Sequence, residues 1–320
     1  VRVWADAEGD PGPWSDAARF TTDLRPLPSL RPHMRYFVNF GGADAELMAR
    51  RYDAGFRAEP NEVRPEYIGL RYCLMATMVI PSGKHDDLLA WCVQEDLVED
   101  AVPEEMFAHF AEDTQVTLHV GAERAENPRE TRTIPGWDPA NDRNEDGVVD
   151  DAEAENLPNP QASARQMSEA RIPMYYWGPP QDDYVMNVGH PEYQRYLAER
   201  YMPRELAGGY DGFFVDTTPA NVPGARGSEV VEYPSSDPGR WMRDMQTAMA
   251  RVKIALPDSV MTANGWRATP FVLDGAEAEG WLNITKGLSG IESALRSAVD
   301  LDRRGKIQLL QYNPIYEPER

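Results

Sequence analysis

The spacing of hydrophobic positions along this 320-residue chain changes repeatedly between strand and helix periods. Residues 35–40 read as a strand ending in Gly41-Gly42, and residues 43–52 as a short helix carrying Leu47 and Met48. Residues 70–80 contain the next strand, residues 86–98 a helix around Leu89, Trp91, Cys92 and Val93, and residues 106–110 a third strand with His109 near its end. A long irregular region, about 120–170, interrupts the rhythm. It resumes with a strand over 184–188, ahead of a helix that carries Tyr193, Tyr196 and Leu197. The run at 210–216, Tyr-Asp-Gly-Phe-Phe-Val-Asp, then predicts a strand covered on both faces, with Asp216 at its end. Further on come a helix over 241–256, strands over 259–265 and 272–280, a helix over 291–302 and a strand over 306–312. Such alternation predicts an α/β fold with a parallel sheet. No Gly-x-Gly-x-x-Gly follows the first strand, so a (β/α)₈ barrel of the TIM type is expected over a doubly wound sheet, across residues 34–320.

Residues 1–24 have a different pattern, two alternating stretches around a Gly/Pro/Asp turn, which predicts a β-hairpin. Val1-Arg-Val3, Trp14-Ser15 and Phe20-Thr-Thr22 resemble the last two strands of a fibronectin type III module. Residues 25–33 are a Pro-rich linker. The sequence starts at Val1 without a Met or signal peptide and stops just after a predicted strand, so it reads as part of a longer multidomain polypeptide.

Composition narrows the partners. The net charge of −21 argues against nucleic acid, whose recognition relies on Lys and Arg against phosphates. No apolar run approaches the roughly 20 residues needed to span a bilayer. Cys73 and Cys92 sit in apolar contexts and make neither a disulfide framework nor a metal cluster, so buried free thiols are expected. His85, His109, His119 and His190 lack zinc-site spacing, and no nucleophile elbow or phosphate loop is evident.

The sharpest chemical motif lies inside the long interruption, at residues 142–153. Asp142, Asn144, Asp146, Asp150 and Glu153 occupy loop positions 1, 3, 5, 9 and 12, Gly147 supplies the turn at position 6, and Val148 offers a backbone carbonyl. Calcium takes six to eight oxygens in flexible geometry, which this spacing provides. The loop resembles EF-hand and dockerin loops, but residues 136–141 are no incoming helix and there is no second copy. A structural Ca²⁺ that folds the insertion is therefore expected, and an extracellular or cell-surface setting with it.

A second constellation is the set of acids at predicted strand ends. Asp216 ends one strand and Glu279 another two units later, with Glu277 and Asp274 nearby. In a closed barrel these ends meet at one mouth, and glycosidic cleavage needs two carboxylates. Residues 210–216, with Asn187 and the His190-Pro-Glu-Tyr193 helix start before them, resemble a strand of barrel glycoside hydrolases and the hypothetical glycosyl hydrolase families. Residues 274–281, Asp-Gly-Ala-Glu-Ala-Glu-Gly-Trp, resemble a later strand of the same enzymes. The resemblance implies Asp216 as nucleophile or base and Glu279 as general acid, with Glu277 a rival on the same strand face, and a carbohydrate substrate. Asn264, His109, Asn187 and Tyr312 also fall at predicted strand ends, and Trp266 and Trp281 in mouth loops where rings stack on sugars. The competing expectation is a barrel kept as a non-catalytic carbohydrate-binding or structural surface module.

Overall fold

The computed structural model describes residues 36–38, 54–56, 67–80, 82–98, 101–119, 129–134, 136–137, 170–174, 182–218, 221–225, 227–264, 273–279 and 306–311, with 292, 296 and 299 as single positions. The chain divides into units Val1–Pro32 and His33–Arg320, and every described residue belongs to the second. The fibronectin-like hairpin, the Pro-rich linker, the calcium loop 142–153, Trp266, Trp281 and Tyr312 lie outside the described residues.

The described strands in chain order are β1 (Tyr36–Val38), β2 (Ala54–Phe56), β3 (Ile68–Leu74), β4 (Thr77–Ile80), β5 (Thr114–His119), β6 (Arg129–Ile134), β7 (Asp182–Val185), β8 (Gly212–Asp216), β9 (Val260–Asn264), β10 (Gly275–Glu279) and β11 (Ile307–Gln311). Seven of them form one sheet in the order β1-β2-β3-β8-β9-β10-β11, and every pair in it is parallel. The two outer strands β1 and β11 come within 8 Å of each other at Cα level, so the sheet curls on itself. β4 pairs antiparallel with β7, and β5 with β6.

Both β8 and β9 bury four residues in a row and leave only the last half-exposed, the pattern of strands covered on both faces. One face carries Cys73, Phe213, Val215, Met261 and Ala263 into the main hydrophobic core, with Met245, Met249 and Val252 of helix Arg240–Ala255. Tyr72, Phe214, Asp216, Thr262 and Asn264 occupy the alternate positions and so face the inside of the curl. Both cysteines are free and buried, as their apolar contexts predict.

Two Asp-Gly pairs start strands by the same device. Asp211 Oδ2 accepts from the Gly69 N–H at 2.8 Å, while the backbone of Asp211 joins Gly69 and Val260. Asp274 Oδ2 accepts from the Met261 N–H at 2.8 Å and from Lys253 Nζ at 2.8 Å. Each aspartate thus extends the ladder one residue beyond the strand, and burial pushes the Asp211 carboxyl above its usual range. Gly212 is required by close approach, since a Cβ there would lie 1.9 Å from Val260 O. Asp274 therefore sits at the start of β10, at the sheet edge opposite Asp216.

Between β3 and β8 the chain makes a long excursion, and here the pattern read from sequence departs most from the structure. Residues 70–80 are two strands, broken at the buried pair Met75-Ala76. The carbonyls freed at the break are all taken up: Leu74 and Thr77 by Lys84 Nζ at 2.5 and 2.9 Å, Met75 by Tyr193 Oη at 2.7 Å, and Ala76 by the Met186 N–H at 2.8 Å. Residues 106–110 are no strand of the sheet. A 3₁₀ turn, Glu104–Met106, precedes isolated bridges from Phe107 to Met186, His109 to Arg171 and Phe110 to Val230. The strand expected over 184–188 is β7, which pairs with β4 and not with the parallel sheet.

Helix α1 (Gly83–Gln94) starts earlier than its apolar spacing predicts, because Ser82 Oγ caps the His85 N–H at 3.2 Å. The excursion returns through a helical run, Pro191–Tyr196, a π turn Leu197–Tyr201 and Met202–Leu206. Pro203, which has no N–H to continue the ladder, is the second residue after the π turn. No described helix is long and apolar enough to cross a membrane.

Candidate active site

Because the strands are parallel, β8, β9 and β10 all end at one edge of the sheet. Val215 is level with Ala263 and Asn264 with Glu277, so Asp216, Asn264 and Glu277 form one row across three neighbouring strands. Glu279 lies two residues further along β10. With strands about 4.8 Å apart, the β8 and β10 backbones are roughly 10 Å apart. The edge thus brings together Asp216 and Asn264, and at backbone level Glu277 and Glu279.

Asp216 is half-buried and accepts from three donors. Tyr72 Oη donates to Oδ2 at 2.5 Å, Asn264 Nδ2 to Oδ1 at 2.9 Å and the Thr217 N–H to Oδ1 at 2.7 Å. Tyr72 comes from β3, on one side of β8, and Asn264 from β9, on the other. The Tyr72 ring lies against Phe214, with centroids 6.0 Å apart and planes 26° from parallel. Thr218, buried, donates through its hydroxyl to the Asn264 carbonyl and ties the two strand ends together. Between them Thr217 holds φ at 58°, a left-handed conformation that β-branched residues rarely adopt. Such strain concentrates where the surrounding structure fixes a functional geometry.

No protein-family model matches the chain, and no curated protein matches it. Several solved structures are similar to it. The glycoside hydrolase domain of PelA from Pseudomonas aeruginosa has a TM-score of 0.43 at 11% identity, covering 88% of this chain and 84% of that one. The alpha-galactosidase TtGalA from Thermus thermophilus, solved in complex with stachyose, has a TM-score of 0.39 at 15% identity, covering 90% of this chain and 55% of that one. A cycloisomaltooligosaccharide glucanotransferase from Paenibacillus sp., complexed with cycloisomaltoheptaose, has a TM-score of 0.42 at 10% identity, covering 92% of this chain and 40% of that one.

Two other residues singled out from sequence stand away from the parallel sheet. His109 is fully buried, with Nδ1 2.7 Å from Glu232 Oε1 and Nε2 2.9 Å from Glu104 Oε1. Arg171 pairs with both oxygens of Glu104, and Trp137 stacks on the imidazole at 4.5 Å. Burial works to lower the His109 pKa, but its hydrogen bonds to the two carboxylates and their charges prevail and raise it. The Glu104 carboxyl is held below its usual range: burial opposes this, and Arg171 and His109 overcome it. Asn187 is equally engaged. Its Nδ2 donates to Glu105 O at 2.9 Å, while its Oδ1 accepts from Tyr233 Oη at 2.9 Å and the Gly189 N–H at 3.2 Å.

Sequence reasoning missed Tyr72, Thr217 and Thr218. The available signal was register: Tyr72 lies two residues before the end of β3, on the face that carries Asp216. Among the described residues no group of three or more His, Cys, Asp or Glu side chains is arranged to hold a metal ion.

Proposed function

We propose that the chain is a glycoside hydrolase that cleaves a polysaccharide or other glycan with two carboxylates, Asp216 acting as nucleophile or base and Glu279 as general acid. The observation that carries this reading is Asp216 itself, at the C-terminal edge of a curled parallel sheet, where barrel enzymes place their chemistry. Its three partners all donate, so the carboxylate is held in place as an acceptor at the strand end. A carboxylate so placed is suited to attack on the anomeric carbon, or to removal of a proton from water, as the glycosidic bond breaks. The acid on β10 then protonates the leaving oxygen. Glu279 ends its strand as Asp216 does, and Glu277, level with Asn264, is the rival for this role. Completion of the barrel by an eighth strand belongs to the same reading.

Asp216→Asn, Glu279→Gln and Glu277→Gln, assayed on a glycan panel, test the assignment. Loss of the acid is expected to slow cleavage roughly 10²–10⁴-fold. Cleavage at the parent rate by both Asp216→Asn and Glu279→Gln would overturn it. We further propose, from the spacing of Asp142, Asn144, Asp146, Val148, Asp150 and Glu153, that the insertion binds a structural Ca²⁺ and that the protein works outside the cell as part of a multidomain polypeptide.

A further inference from the structure

Asp216 is gripped from both neighbouring strands at once, and its partners are themselves immobilised. A lone aspartate has a broad, two-fold preference about its outer torsion. Here Tyr72 holds Oδ2 from the β3 side and Asn264 holds Oδ1 from the β9 side. Stacking on Phe214 sets the Tyr72 ring, and the Thr218 hydroxyl pins the Asn264 backbone. The left-handed turn at Thr217 brings a third donor, its own N–H, onto Oδ1. A carboxylate offers about four acceptor sites. Oδ1 takes two donors and Oδ2 one, so among the described residues the remaining site is on Oδ2.

We propose that Tyr72 and Asn264 are positioning residues that fix one rotamer of Asp216 and present Oδ2 as the oxygen that attacks the anomeric carbon or accepts the water proton. This rests on the reading of Asp216 as nucleophile or base. It also gives Asn264 a task distinct from holding a sugar hydroxyl, since its amide is directed at the carboxylate.

Crystal structures of the parent, Tyr72→Phe and Asn264→Ala, with steady-state kinetics on whichever panel glycan the parent cleaves, test the inference. Tyr72→Phe keeps the ring on Phe214, and Asn264→Ala supplies an independent variant should the first fold poorly. The expected result is an Asp216 carboxylate that rotates or splits between conformers while the β8 main chain stays in place. With it, kcat falls on the order of 10²-fold at unchanged KM, the cost of misplacing a reacting group by about 1 Å. An unmoved, single Asp216 rotamer in both variants overturns the proposal, as does a raised KM with kcat intact. A carboxylate that rotates in the variants, while the parent itself cleaves no glycan, upholds the positioning role and overturns the glycosidase reading.

Discussion

Replacing His109 by leucine removes the centre of a buried four-residue charge chain. A carboxylate only accepts hydrogen bonds, so an imidazole with carboxylate oxygens 2.7 and 2.9 Å from its two nitrogens donates from both and carries a positive charge. With Arg171 on Glu104, two cations face two carboxylates, and the chain is neutral as a whole. Leucine leaves one surplus negative charge beside a fully buried position. Removing one partner of a buried pair costs roughly 3–5 kcal/mol, a large share of the roughly 5–15 kcal/mol that holds a typical domain folded. The pH dependence has a definite sign. The folded pKa of His109 is raised, so its contribution is complete below the unfolded value of about 6.5 and is lost as pH rises through the folded value. Within that window the native state holds one extra proton, a slope of about −1.4 kcal/mol per pH unit. Glu104, with a depressed folded pKa, contributes stability that is present above its unfolded value and lost as pH falls through the folded one. Lys84, lowered to about 8 by burial, acts with opposite sign only above that pH. Urea unfolding of parent and His109→Leu from pH 5 to 8 reads both effects, and ¹⁵N spectra of the parent ring across the same range read where it loses its second proton. Equal stability at pH 6 with parallel pH curves, or a ring that loses its second proton at or below about pH 6.5, refutes the reasoning.

Three more expectations follow from the same structure and sequence. Gly212→Ala places a methyl group 1.9 Å from Val260 O, between the two central strands, and is expected to lower unfolding free energy by roughly 3 kcal/mol in denaturant titration. Lys84→Met removes the donor from the Leu74 and Thr77 carbonyls where β3 ends, and is expected to cost about 1–3 kcal/mol, with faster amide exchange in β4. Chelation with EGTA is expected to lower the thermal midpoint, because an ion bound to the folded loop stabilises it by mass action; an unchanged midpoint counts against the calcium loop.

The parallel strands were legible because continuous burial needs unbroken apolar runs. Phe213-Phe-Val215 and Val260-Met-Thr-Ala263 announce themselves, and the final polar residue of each strand is where the structure leaves the core. The excursion was not legible, because its order comes from long-range pairing. His109 sits among apolar residues, and the period of that run says nothing of Glu104, Arg171 and Glu232, which complete its surroundings from three separate places in the chain. The apolar run across 70–80 shows no break at Met75-Ala76, since that bend is stabilised by Lys84 and Tyr193 rather than by a turn residue. The Asp-Gly pairs carried a signal with two meanings. Asp211 and Asp274 start strands by accepting a neighbour's N–H, and only the register separates them from Asp216 at the opposite edge.

That separation gives the excursion a part in shaping the site. It leaves the sheet at the end of β3, level with Asp216, and the segment that leaves β8 after Asp216 runs alongside it. Ala111 N–H donates to Glu229 O, Val231 N–H to His109 O, and Tyr233 Oη to Asn187 Oδ1. The His109 side chain closes the same seam by holding Glu232. His109 and Asn187 therefore hold residues 229–233, which follow Thr217 in the chain before helix Arg240–Ala255. Loosening that seam is expected to reach Asp216 through the strained Thr217 turn before it disturbs β8, whose ladder to β3 and β9 is independent of it. Hydrogen exchange in His109→Leu discriminates: faster exchange at residues 227–233 and at Thr217, with β8 up to Val215 unchanged, fits this order, and faster exchange across β8 contradicts it.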